Sequence, residues 1–474
     1  MRSRRYVWPF FVLVLIACGA VVPSVFAQGS ASEVEDLKKQ MLQMEEQLRL
    51  LRQKVEQLEA KPPTPEAPPP SEKTDAATEQ RLKALEAQVQ QQRVASRGIL
   101  APFNPKISLN GLFSAAMFSK KDNLNFGDHD PNVQGFKLQN GELHLQGTVD
   151  PYFQMDSNIV LTIDKGDTKV ELEELYGTSL ALPANLQVVA GQFFTRFGRQ
   201  NPQHPHQWDF ADQPVILNRI FGPDGLRGPG LQLSWLAPTP FFLEFKASAQ
   251  QAQGDIATSF LSSQGQMVRG YPLIDRPVQK IGDLIYMPRV VTSFEPTDEL
   301  TAAMGASTLF GPNASGPDNH TYIYGADLYV KWKPVNHSQG FPFVAWQTEY
   351  LHRNYEAGPD NKNPIPASRL KDFGFYTQVL YGFTFRWVAG FRVDYANSSG
   401  GAPQAVPFID TLAKQDLVGE RWRFSPNLTF YPSEFSKFRL QYNVDFADSR
   451  GREAVHGVFL QMELNIGEHG AHSF

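Results

Sequence analysis

The chain has 474 residues, of which 42% are hydrophobic and 20% charged, and its formal net charge is -5. So mild an acidity gives no reason to propose nucleic-acid binding. The single cysteine, Cys18, excludes a disulfide framework. Aromatic residues are plentiful, with 35 Phe, 15 Tyr and 7 Trp, as suits structures that place rings at a membrane–water interface.

Residues 1–27 carry the three parts of a signal peptide: Arg2, Arg4 and Arg5, then an apolar run from Val7 to Ala17, then Val25-Phe26-Ala27 as the cleavage site. Gln28 is the expected mature start. Leu15-Ile16-Ala17-Cys18 also fits a lipobox that would lipidate Cys18. The Val-Phe-Ala site is preferred, because acyl chains add little to the anchoring of a chain already embedded by its strands. No later stretch approaches the roughly 20 apolar residues of a spanning helix, so any crossing after export must use strands.

Over residues 28–60, Val34, Leu37, Met41, Met44, Leu48, Leu51, Val55 and Leu58 step by three and four. This spacing predicts an α-helical coiled coil with charged and amide side chains on its other faces. Residues 61–104 follow as a Pro-rich linker, opened by Lys61-Pro62-Pro63, with a short helix around Leu82, Leu85 and Val89.

From residue 105 to 474 the period is two. Ile107, Leu109, Phe113 and Met117 share one face, with Ser108, Asn110 and Ser114 opposite. Phe385, Trp387, Phe391 and Tyr395 alternate with Arg386, Arg392 and Asp394. Phe438, Leu440, Tyr442 and Val444 alternate with Lys437, Arg439, Gln441 and Asn443. About sixteen such runs are legible, many longer than soluble strands: 106-118, 134-149, 152-164, 169-181, 185-197, 229-237, 240-250, 286-295, 298-310, 320-333, 341-355, 370-382, 384-396, 417-431, 436-448 and 455-467. Tight turns follow the even-numbered runs and longer polar loops most odd-numbered ones. A soluble sandwich also alternates, but with shorter strands and a polar outer face. The reading is therefore an all-β transmembrane barrel of about 16 antiparallel strands, greasy outside and wet inside, in the bacterial outer membrane. Both termini, and the coiled coil, then lie in the periplasm.

The stretch from Gly141 to Gly198 resembles the phosphate-selective porin family. The likeness rests on Val149-Asp150-Pro151-Tyr152, on Val170-Glu171-Leu172-Glu173-Glu174-Leu175-Tyr176, and on Val189-Ala190-Gly191-Gln192-Phe193 running to Phe197-Gly198. It covers about the first third of the barrel and implies a sixteen-stranded, trimeric porin. Farther on, Asn201 to Phe210 and Leu226-Arg227-Gly228-Pro229-Gly230 look like uncharacterised bacterial outer-membrane proteins. No dense arginine ladder or lysine cluster accompanies the likeness, so phosphate is not carried over as the solute. The terminal Phe474 matches the last aromatic that barrel-assembly machinery reads in such proteins.

In many porins the third long connection folds into the lumen. Here that segment, 199–228, carries Arg199, His204, His206, Asp209, Asp212, Arg219, Asp224 and Arg227, and is expected to set pore size and charge. Lumen-facing acids of early strands include Glu171 and Glu173, and cations of late strands include Arg386, Arg392, Arg421, Arg423 and Arg439. These two groups imply a transverse field, unless neighbouring acids neutralise the cations. His204 and His206 are weak metal candidates, having no carboxylate or cysteine near them in sequence, so no metal and no cofactor is expected. No nucleophile motif points to an enzyme, and there is no room for the plug of an active receptor before residue 105. Passive diffusion of small hydrophilic or ionic solutes is the expected function. The alternative is a tether or adhesin whose barrel is an anchor and whose coiled coil faces the cell wall. Expected partners are outer-membrane lipid, two further copies joined through barrel and coiled coil in a homotrimer, and the cell wall.

Overall fold

Sixteen antiparallel strands close into a barrel in a computed structural model of the chain, each strand hydrogen-bonded to its neighbours in sequence and the last pairing with the first. Residues 105–120, 124–164, 166–254, 256–264, 266–359, 365–401 and 418–467 are described. The expected signal peptide, Cys18, coiled coil, linker and terminal Phe474 lie outside them. The strands are β1 (Lys106–Phe118), β2 (Gly135–Thr148), β3 (Phe153–Asp164), β4 (Asp167–Ser179), β5 (Leu186–Phe194), β6 (Arg227–Leu236), β7 (Phe242–Gln250) and β8 (Ile285–Thr297). They continue as β9 (Leu300–Pro312), β10 (His320–Trp332), β11 (Phe343–Ala357), β12 (Ser368–Thr384), β13 (Trp387–Ser399), β14 (Arg421–Ser433), β15 (Ser436–Ala447) and β16 (Val455–Gly467). All sixteen predicted runs correspond to strands.

Closure of the sheet gives each strand a neighbour on both sides, as strands in hydrocarbon require; the shortest ladder is that of β4 with β5, at Leu175–Thr178. Alternation then sorts the side chains. On the outside, Leu428 of β14 faces Leu440 of β15, which faces Leu460 of β16, and all three are exposed. Five residues away, and so on the other face, Arg423 faces Asp445 inside the barrel, where both are buried. The outer wall is a belt of exposed Leu, Phe, Tyr and Trp. Among the described residues no helix is long and apolar enough to cross a membrane.

Both chain ends of the barrel lie at the end of the turns 149–152, 180–185, 237–241, 298–299, 333–342, 385–386 and 434–435. The opposite end carries L1 (119–134), the tight link 165–166, L3 (195–226), L4 (251–284) and the later loops. Arg386, expected on the lumen wall, sits instead in the turn between β12 and β13. It has φ +69, is exposed, and lies over the Phe385 ring at 4.7 Å. The alternation of β12 stops at Thr384 and restarts at Trp387, so extending it through the turn misplaces this side chain.

The lumen is not wet throughout. L3 forms a seven-residue helix, α1 (Val215–Phe221), ended by Gly222 at φ +84. Too short to persist alone, it is held by packing. Its Ile216, Leu217, Ile220 and Phe221 cluster with Phe197, with Phe260 of L4, and with Ile285, Met287, Leu309, Ile323, Leu351 and Ala396 on the inner wall. Each such buried aliphatic side chain contributes roughly 1.5–3 kcal/mol. The inner face of β11 shows the consequence: Leu351 points inward onto this cluster, and Tyr355 and Ala357 point inward onto a second one with Tyr271 of L4, Ile365 and Leu370, while His352, Asn354 and Glu356 of the same stretch point outward. There, toward the loop end, the expected greasy exterior and wet interior are reversed.

Candidate functional site

L3 leaves β5 at Phe194 and returns at Arg227, three to four residues earlier at its start than predicted, and it crosses the lumen. The wall takes hold of it by its backbone. Glu349 of β11 accepts the backbone N–H groups of Arg199 at 3.0 Å and Gln200 at 2.7 Å, and the Tyr376 hydroxyl at 2.7 Å. Lys437 donates to the His206 carbonyl, Arg439 to that of Trp208 and Asn427 to that of Asp209. Gln378 donates to the Asp209 carboxylate at 2.8 Å. Arg199 lies 4.3 Å over the Tyr329 ring.

At its centre L3 inserts Asp212 between the cations of β13 and β14. Arg392 and Arg423 both pair with it, and Gln441 and Asn443 each donate to it at 2.7 Å. Burial works against charge on Asp212, but Arg392 and Arg423 outweigh it and hold the carboxyl below its ordinary value. Most other cations of this arc also meet carboxylates: Arg392 pairs with Asp394, Arg421 and Arg423 with Asp445, and Lys437 with Glu463. Arg439 instead donates to neutral oxygens of Thr429, Gln461 and Trp208. The late-strand cations do lie side by side, as the transverse field required, but carboxylates from L3 and neighbouring strands neutralise Arg392, Arg421, Arg423 and Lys437. Arg219, on α1, is different. Its Nη1 donates to the Gly419 carbonyl at 2.9 Å, while its Nε and Nη2 have no hydrogen-bond partner. Burial pulls it down to about 9, Asp372 offsetting part of the effect.

A second arc, on β2–β4, is acidic, and two bulges shape it. Between β3 and β4, Asn158 pairs with Glu174 and Ile159 with Leu172, so Glu173 is the extra residue. The bulge turns both Glu173 and Glu174 inward. A second bulge, opposite Leu112 and Phe113, places Gln139 and Asn140 inward together. L3 brings His204 onto this arc. Its Nε2 lies 2.9 Å from Glu174, and its Nδ1 lies 3.0 Å from Glu173 and 3.5 Å from Glu142. Burial disfavours the charged imidazole, yet these carboxylates outweigh it and hold His204 well above its ordinary value. His206 stacks on His204 at 6.0 Å, its Nδ1 3.0 Å from Glu142. Thus the two histidines, without acidic neighbours in sequence, acquire them in space. Arg227 opens β6 and pairs with Asp224 at 2.5 Å and with Glu171.

Between this arc and L3 lies a cavity of about 250 Å³ at the turn end of β1–β4, lined by Asn110, Glu142, His144, Asp156, Glu174 and His204 among others. Of the expected lumen residues, all but Arg386 face the interior or L3. Sequence reasoning missed His129 and Asp130 of L1, Asp212's role as the central anchor, and Glu174. Only Glu174 had a signal: Leu172 and Leu175 both face outward three residues apart, a slip in the period of two.

No protein-family model matches the chain. It is 31% identical over 358 residues to an uncharacterized protein of Aquifex aeolicus (strain VF5), covering 72% of this chain and 70% of that protein. Among solved structures it is similar to the outer membrane channel DcaP of Acinetobacter baumannii, at 12% identity and a TM-score of 0.48, covering 77% of this chain and 96% of that one. It is similar also to OprB of Pseudomonas putida (11% identity, TM-score 0.47, 78% and 96% covered). The anion-selective porin from Comamonas acidovorans matches at 8% identity and a TM-score of 0.46, with 77% and 99% covered.

Proposed function

The chain belongs to one family with the uncharacterized protein of Aquifex aeolicus, and we propose that it is a bacterial outer-membrane porin passing small hydrophilic or ionic solutes passively beside its infolded third loop. One observation carries the reading: a closed barrel with an apolar exterior holds inside it a charged loop and a polar cavity. The turn end is then periplasmic and the loop end external, with the N-terminal segment entering from the periplasm. L3 covers the basic arc and leaves the acidic arc facing the cavity, which favours cations and small polar solutes over anions. Association of three copies, and contact of the N-terminal segment with the cell wall, are parts of the same proposal.

Liposome swelling with graded sugars, amino acids and salts, together with planar-bilayer recordings of the mature chain, tests it. Size-dependent permeation with cation preference is the expected result. The apolar core around α1 favours a second reading, in which the barrel is chiefly an anchor for a tether or adhesin. Correct insertion without conductance would select that reading.

A further inference from the structure

A buried group at the junction of L1, β4 and L3 has no place in solute passage. His129 of L1 directs Nε2 at two carboxylates, 2.7 Å from Asp224 Oδ1 at the end of L3 and 3.2 Å from Glu173 Oε1 on the β4 bulge. The three ligand atoms lie within 4.8 Å of one another. We propose that His129, Glu173 and Asp224 bind a divalent transition-metal ion that staples L3 to L1 and the barrel wall.

The arrangement around the three residues is what a metal ligand set requires. His129 Nδ1 is 3.2 Å from the Gln139 carbonyl, which only accepts, so Nδ1 carries a proton and Nε2 is the nitrogen turned to the carboxylates. Orienting a ligating imidazole through its other N–H to a backbone carbonyl is a recurrent device of metal sites. The second oxygen of Asp224 is held by Arg227, the counterpart for a ligating carboxylate. The Gln139 carbonyl comes from one bulge and Glu173 from the other, so both irregularities of the sheet serve this point.

A proton alone leaves the group incomplete. A single Nε2–H has one direction and satisfies Asp224. Glu173 is 1% exposed, and neither of its oxygens accepts a hydrogen bond. It is held only by ion-pair contacts that lie outside hydrogen-bond alignment, 3.2 Å from His129 Nε2 and 3.0 Å from His204 Nδ1. An ion equidistant from His129, Glu173 and Asp224 would satisfy both carboxylates at once. Ligands about 2.1 Å from a tetrahedral centre are about 3.4 Å apart; the His129–Glu173 separation of 3.2 Å is already close to that, and His129 and Asp224, now 2.7 Å apart, would part slightly to admit the ion. One nitrogen and two oxygens suit zinc and its first-row neighbours.

The mature chain, purified in detergent with its barrel intact, is loaded with Zn²⁺, freed of excess by gel filtration and assayed for metal. One Zn²⁺ per chain, released by a chelator and replaceable by Co²⁺ with visible absorption of a low-symmetry site, is the expected result. His129→Gln and Glu173→Gln should each weaken retention by about tenfold or more, while His206→Gln retains it. Heat-modifiable migration on gels verifies folding of each variant. The proposal is overturned if the wild-type chain retains no Zn²⁺, or if folded His129→Gln retains it in full. The first of these holds whether or not any variant folds, and neither depends on conduction.

Discussion

Asp212 Oδ1 lies 2.9 Å from Nη2 of Arg392, which makes one carboxylate on a loop the counter-ion of the opposite wall of a barrel. Arg423 shares that carboxylate, and both arginines are fully buried. Removing one partner of a buried ion pair strands the other charge, at a cost of about 3–5 kcal/mol. Asp212→Ala should therefore lower the unfolding temperature of the detergent-solubilised barrel. In bilayers it should raise single-channel conductance and move the reversal potential toward anions, because L3 loses its central hold and two cations lose their cover. Unaltered selectivity and stability would contradict this role.

The same carboxylate sets an expectation for acid. Its proton affinity is depressed in the folded chain, so its contribution to stability is complete above the ordinary aspartate value of about 3.9. That contribution fades only as pH falls through the lower folded value. Asp212 itself should hold L3 from neutral pH down to about pH 4. Asp130 of L1, which accepts the Gln213 N–H of L3 and is pushed up to about 6 by burial and by Asp212, takes up its proton within that range. Recordings at stepped pH check this: a step near pH 6 reports Asp130, and release of L3 well above pH 4 in an Asp130→Asn chain would contradict the hold of Asp212.

Most of the barrel is legible in the sequence because each wall residue chooses between lipid and interior, and that choice repeats every second position. What lies inside is harder to read. Val215 to Phe221 is an apolar run within an otherwise polar loop, yet nothing local says that it packs against Ile323 and Leu351 more than 100 positions away. The inward Leu351 of β11 depends on that packing, and the inward Tyr355 on Tyr271 of L4, so the outside–inside rule fails where the loops fold into the barrel. His129 is a lone histidine in a loop, and its partners Glu173 and Asp224 come from distant segments. The cations of β13–β15 were visible, but their neutralisation by Asp212 requires knowing where L3 goes.

Gly198 is the hinge at which L3 turns into the lumen. It holds φ +63, and a Cβ there would collide with the Glu349 carboxylate. Its N–H reaches Ser307, and the next two N–H groups are accepted by Glu349. Gly198→Ala should cost about 1 kcal/mol in backbone conformation, and more through the displaced carboxylate. The expected outcome is an intact barrel with L3 partly released, read as faster proteolytic cleavage within 199–226 and noisier channel currents. Wild-type protease resistance would show that the loop is held elsewhere.

Leu440 tests the apolar exterior on which the membrane reading depends. It lies midway along β15, 47% exposed, between the equally outward Leu428 and Leu460. An arginine on the lipid face of a barrel costs about 2–4 kcal/mol at the bilayer midplane. Leu440→Arg should therefore reduce folding into phospholipid vesicles, seen as loss of the heat-modifiable band and a lower denaturant midpoint. A soluble sheet would respond oppositely, since charge at an exposed position improves solubility and leaves stability nearly unchanged. The neighbouring Gln441→Glu, facing inward beside Asp212 and Asn443, separates wall from lumen. It should disturb the seating of L3 and change ion preference while vesicle insertion proceeds normally. If Leu440→Arg inserts as readily as the native chain, the outer wall does not face lipid.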